Sequence, residues 1–137
     1  MPTDKISPQA RSEVMRRIRK RDTKPELALR RLVHGMGYRY RLYRKDLPGS
    51  PDLVFPGRRA MIFMHGCFWH QHPGCRLARQ PKSRPDYWLA KLARNVERDA
   101  EVRAQLAALG WKVLVIWKCE ITDPGLVGER VAAFLGS

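Results

Sequence analysis

Acidic residues are scarce in this chain: 13 Asp and Glu stand against 27 Lys and Arg, a formal charge of +14 over 137 residues. The basic excess runs along the chain rather than sitting in a tail. It points to a polyanionic partner, because neutralising phosphates releases condensed counterions. No apolar run approaches the roughly 20 residues that a spanning helix needs, which argues against a membrane as that polyanion. No N-terminal signal peptide is visible, so a soluble, cytoplasmic protein is expected. Cysteine is also sparse. Three thiols cannot make a closed disulfide set, and in a reducing compartment their clustering with histidine suggests metal instead. Repeats and low-complexity segments are lacking, and the length suits one domain that can bury a core without staples.

Residues 1–22 are expected to form a basic arm or helix ahead of a single domain over 23–137. In residues 8–21, Val14, Met15 and Ile18 are the only large apolar side chains among six Arg and Lys, which reads either as a solvated helix face or as a DNA-contacting arm. Thr23-Lys24-Pro25-Glu26 has the form of a capping box, with Thr23 as N-cap and Glu26 reaching back to the cap amide. The helix it opens should end near Gly35 and Gly37.

Tyr38 to Tyr43 alternates in period 2, as a half-exposed strand does. A second strand is expected over Asp52 to Phe55. The uninterrupted apolar run Ala60 to Met64 suits a central strand buried on both faces. A helix should follow from Asp86 to about Leu109, with Trp88, Leu89, Leu92, Val96 and Leu106 on one face and Asp99 in its middle. Val113 to Trp117 is a further strand, and Pro124 to Leu135 a final helix. The order αβββαβα predicts an α/β fold with a mixed central sheet flanked by helices.

Most of the chemistry lies between Pro48 and Cys75. Cys67, His72 and Cys75, completed by Cys119, read either as unconnected thiols beside a solvated histidine or as the soft donors of a closed tetrahedral zinc site with a structural role, which the loop composition and the lack of a spare cysteine favour. Asp52, His65, His70, Asp99 and Glu26 supply the residue types of a hydrolytic nuclease: a carboxylate for a hard divalent ion, a base for water, and a donor for the leaving oxygen. Asp99, a carboxylate on an apolar helix face, requires a partner, and a nearby histidine would serve. Phe68-Trp69 reads either as core packing or as a wedge between base pairs, with Met15 a second wedge.

The segments LPGSPD around Asp52, IFMHGCFWH from Ile62 to His70, NVERD ending at Asp99, and LGWKVLVIWKCE from Leu109 to Glu120 together resemble the very-short-patch-repair mismatch endonucleases. The resemblance runs over nearly the whole chain, and the HGCFWH block is its most specific part. It implies a restriction-endonuclease-like, PD-(D/E)xK-type core with a structural zinc site, in which Phe63-Met64-His65 stands where an acid-x-Lys would be. It further implies that Asp52 and the backbone carbonyl of Met64 hold Mg²⁺. His70 would be general base, Glu26 would orient it or the ion's water shell, and His65, paired with Asp99, would assist at the phosphate and leaving group. Phe68, Trp69 and Met15 become intercalating side chains, and Cys67, His72, Cys75 and Cys119 hold Zn²⁺. One residue more than in the family pattern separates His72 from Cys75, which a Pro73-Gly74 turn would absorb.

The activity so implied is nicking of duplex DNA 5′ of the thymine in a T·G mismatch, the lesion left when 5-methylcytosine deaminates. A cytosine-5 methyltransferase and a repair polymerase are the implied functional partners. The enzyme would work as a monomer at the bacterial nucleoid. The rival readings are a restriction-like nuclease that cuts fully paired DNA, and a non-catalytic, zinc-stabilised DNA-binding module.

Overall fold

A computed structural model describes residues 23–79 and 84–136. The expected basic arm, with Met15, lies outside the described residues.

Helix α1, Lys24–Gly35, begins where the capping signal puts it. The Thr23 hydroxyl accepts from the Glu26 amide at 3.5 Å and donates to the Glu26 carboxylate at 2.9 Å. The strands are β1, Leu53–Phe55, and β2, Ala60–His65; helix α2 is Pro85–Ala108, strand β3 is Lys112–Trp117, and helix α3 is Pro124–Leu135. β2 is central, antiparallel to β1 with Leu53 opposite Ile62, and parallel to β3 with Ile62 opposite Leu114. A parallel pair needs a long crossover, and α2 lies in it.

Alternation along the strands divides the core into two layers. Leu53, Phe55, Ala60, Ile62 and Ile116 pack with Leu29 and Val33 of α1 and with Val127, Val131 and Leu135 of α3. Val54, Met61 and Phe63 face the other way, toward Leu106 and Val102 of α2. Both faces of β2 are therefore covered, as its unbroken apolar run predicts. Each fully buried aliphatic side chain there contributes about 1.5–3 kcal/mol.

Two expectations are corrected. Tyr38 to Tyr43 is not a regular strand: one antiparallel bridge, Arg41 to Val54, is all that forms, with bonds of 2.8 and 3.0 Å. Burial still alternates, since Tyr38, Tyr40 and Leu42 pack on the core. β1 offers only three residues to pair with, and Tyr43 turns to φ +57, which ends the extended run.

On α2, Leu89 and Val96 do not join the buried face; they are 50% and 43% exposed. The inward line is Trp88, Leu92, Asn95, Asp99, Val102 and Leu106, spaced alternately by four and three. Asn95 and Asp99 displace apolar residues from it because each has a partner inside: the Trp69 carbonyl at 3.1 Å and the His70 ring.

Candidate active site and metal centre

At the C-terminal end of β2, side chains from five segments meet in a cleft of about 320 Å³. Glu26 comes from α1, Asp52 from the residue before β1, His65 from the end of β2, His70 from the following loop, and Asp99 from α2. The expected catalytic constellation is thus assembled in one place. Period 2 carries His65 to the α2 side of the sheet, after Met61 and Phe63.

Asp52 is held by the strand beside it. Its Oδ2 accepts from the Met64 amide at 2.6 Å, and its own amide donates to the Ile62 carbonyl at 3.1 Å. Burial pushes the carboxyl up to about 7. The Met64 amide opposes the shift, neighbouring Glu26 adds to it, and Arg30 offsets part of it. Two carboxylates held together out of water are the donor chemistry that a hard divalent cation neutralises. Arg30, 3.8 Å from Glu26 at the base of α1, is the resident cation beside them.

The pairing of Asp99 with His65 is corrected. Asp99 Oδ2 lies 2.7 Å from Nδ1 of His70. His65 stacks flat on His70 instead, with ring centroids 3.8 Å apart and planes 8° from parallel, and with Trp117 against its edge. His65 is 7% exposed, and its Nδ1 is buried without a hydrogen-bond partner. Burial, reinforced by His70 and Arg103, lowers its pKa to about 3, so the ring is neutral near pH 7. A carboxylate only accepts hydrogen bonds, so its contact puts a proton on Nδ1 of His70. The lone pair of a neutral His70 is then on Nε2, the arrangement of an oriented general base.

Beside the cleft, Cys67, His72, Cys75 and Cys119 bring their donor atoms within 4.8 Å of one another. A tetrahedral zinc with bonds of about 2.3 Å to sulfur and 2.0–2.1 Å to nitrogen separates such donors by about 3.5 Å. The Cys119 Sγ to His72 Nδ1 distance is 3.4 Å, so the donor set fits such an ion. Burial, with the thiols of Cys67 and Cys75 alongside, drives the Cys119 thiol up to about 12. The extra residue between His72 and Cys75 is taken up in a turn: Cys75 N donates to His72 O at 3.3 Å, and Gly74 sits at φ +70 after Pro73. The quartet joins the ends of the parallel strands β2 and β3 to the loop between them.

Phe68 and Trp69 project from that same loop and are half-buried. Trp88, read from its periodicity as a core residue, joins them, with centroids 5.4 Å from Phe68 and 6.0 Å from Trp69. Its place at the first turn of a helix preceded by polar loop was the available signal. Lys91 stands 5.5 Å over the Trp69 ring. Sequence reasoning also missed Arg98 and Arg103, which line the cleft, because nothing separates them from the chain's other basic residues before α2 is docked.

Residues 3–76 match the family described as DNA mismatch endonuclease Vsr. The type II nicking enzyme V.XorIIP of Xanthomonas oryzae pv. oryzae is 52% identical over 133 residues, covering 97% of each chain. DNA mismatch endonuclease Vsr of Escherichia coli is 45% identical over 131 residues, 91% of this chain and 83% of its own. The type II nicking enzyme V.NmeAIP of Neisseria meningitidis is 39% identical over 129 residues, 94% and 91%.

Proposed function

Because the chain belongs to the Vsr family of DNA endonucleases, we propose that it nicks duplex DNA 5′ of the thymine in a T·G mismatch, in a Mg²⁺-dependent hydrolysis that opens very short patch repair. The observation that carries this reading is the cleft that gathers Glu26, Asp52, His65, His70 and Asp99 beside the trio Phe68, Trp69 and Trp88. The core is read as a PD-(D/E)xK fold in which Met64-His65 replaces the second half of the motif.

Asp52 and the backbone carbonyl of Met64 would hold Mg²⁺, with Glu26 beside them to orient water; such an ion would supply positive charge to the phosphate. Nε2 of His70 takes the proton of the attacking water as the water oxygen bonds to phosphorus and the scissile P–O bond breaks; Asp99 steadies the imidazolium that results, and the leaving oxygen takes up a proton from solvent. Without that carboxylate the ring could rotate or hold its proton on the wrong nitrogen. His65, neutral and stacked beneath His70, fixes the plane of that ring and lines the phosphate side of the cleft. Cys67, His72, Cys75 and Cys119 would hold a structural Zn²⁺, which would lock the loop bearing the aromatics. The three rings, with Met15 of the basic arm, enter the base stack, which is least costly where pairing is already weak.

The substrate is double-stranded DNA, and the protein acts as a monomer in the bacterial cytoplasm. Its place is downstream of a cytosine-5 methyltransferase and upstream of a repair polymerase. The deciding experiment compares labelled duplexes carrying T·G or T·A at one position, with and without Mg²⁺, in several flanking sequences. Nicking confined to T·G and requiring Mg²⁺ is expected. Equal cutting of both duplexes would replace this reading with a restriction-like nuclease, and binding without cutting would leave a DNA-binding module.

A further inference from the structure

An acidic cleft has to receive a polyanion. Glu26, Asp52 and Asp99 all line it. The backbone of DNA brings further negative charge to the same place, so cations lining the same cleft are required.

Many of the arginines are already engaged. Arg44 pairs with Asp46, and Arg130 with Glu120 and the Val115 carbonyl. Arg58 and Arg59 donate to the carbonyls of Leu135 and Leu109. Arg98 and Arg103 differ. Both line the cleft, both are exposed, and among the described residues neither makes a hydrogen bond or an ion pair.

Their placement on α2 follows from the helix repeat. Asp99 and Val102 point inward; Arg98 stands on one shoulder of that line and Arg103 on the other, about 140° apart around the helix and about 7.5 Å apart along it. That separation is too large for both to grip one phosphate easily, and it suits two neighbouring phosphates of a single strand. Arg103 is near enough to His65 to oppose protonation of that ring, which puts it beside the chemistry. It also borders a second groove of about 500 Å³ that runs along β3 past Val113, Val115 and Trp117. A strand leaving the cleft along that groove would pass Arg103.

We propose that Arg98 and Arg103 form a two-arginine clamp on the phosphates flanking the scissile bond of the cut strand. The proposal rests on the reading of the cleft as the nuclease site. A guanidinium fork binds phosphate bidentately and keeps its charge at any working pH, so an unpaired arginine is suited to this contact.

The test uses the full-length, zinc-loaded protein and duplexes in which single phosphates beside the nick position are replaced by neutral methylphosphonates, with affinity measured in the absence of divalent ions. Wild type should lose affinity at two phosphates. Arg98→Gln should be insensitive to replacement at one of them and Arg103→Gln at the other. Each variant should also lower the slope of log affinity against log salt by about 0.9. Variants that keep the wild-type interference pattern, or an unchanged salt slope, would overturn the clamp. Arg98→Lys and Arg103→Lys, which retain charge, should keep the slope, and melting curves should coincide for all variants because both side chains are exposed. Nicking of T·G and T·A duplexes by wild type in Mg²⁺, run alongside, separates the two failures: absence of nicking removes the nuclease reading, whereas an unchanged interference pattern removes only the clamp.

Discussion

Asp52 is the residue at which the proposed function and stability pull against each other. The unfolded chain releases its proton near ~3.9, whereas the folded, metal-free protein holds it up to about 7. Between these values the folded state binds more protons than the unfolded one. Stability therefore falls as pH rises from about 4 to about 7, and the full penalty is present above 7. Asp52→Asn removes the ionisation while keeping an acceptor for the Met64 amide. In metal-free protein its melting temperature should exceed that of wild type at about pH 8, by a margin that closes towards about pH 4. A margin independent of pH would mean that Asp52 ionises normally. Cleavage by the variant should be abolished and DNA binding largely kept. Asp99 gives a second prediction at this scale. Asp99→Asn leaves His70 stacked on His65 but lets the amide donate to Nδ1, so nicking should fall at least ~10²-fold with binding intact, measured under single turnover. A loss below tenfold would remove Asp99 from the mechanism.

At the scale of elements, the turn that delivers Asp52 is fitted to α2 by a glycine. A Cβ on Gly49 would lie 2.5 Å from Val102 Cγ1, and the residue has φ +81. Gly37 also has positive φ, +97, but its Cβ would meet nothing within 4 Å. Gly37→Ala should therefore cost about 1 kcal/mol for backbone conformation alone. Gly49→Ala should cost that plus roughly 1–3 kcal/mol of overpacking, and should impair nicking as Asp52 shifts. Urea denaturation of both variants, and of Gly49→Ala combined with Val102→Ala, checks this. Restoration of part of the loss by the second substitution is expected, and purely additive losses would refute a steric origin.

At the scale of the whole molecule, the Cys67, His72, Cys75 and Cys119 cluster joins the ends of β2 and β3 to the loop carrying Phe68 and Trp69. Treatment with a strong chelator should lower stability by several kcal/mol and the melting temperature by at least ~10 °C. Discrimination of T·G from T·A should be lost before general DNA affinity, because the charge of +14 does not depend on the loop. Melting and binding curves that are the same with and without chelator would show that no structural metal is held there.

Local signals were sufficient for much of this protein. Thr23 and Glu26 mark the start of α1, the apolar run from Ala60 marks the central strand, and four soft donors with none to spare mark the Cys/His cluster, because each depends on neighbours in sequence or on composition. The packing of α2 decided the rest. Helical periodicity puts Asp99 on an inward face, but the sequence offers two histidines five residues apart. Only the stacking of His65 under His70 leaves His70 as the partner. The same docking turned Leu89 and Val96 outward, brought Trp88 to Phe68, and put Arg98 and Arg103 on the cleft wall. Tyr38 to Tyr43 carries the alternation of a strand yet makes a single bridge, since a ladder also needs a partner strand long enough to pair with it. Sequence fixes which face of an element is buried; which groups meet there depends on the distance and orientation between elements far apart in the chain.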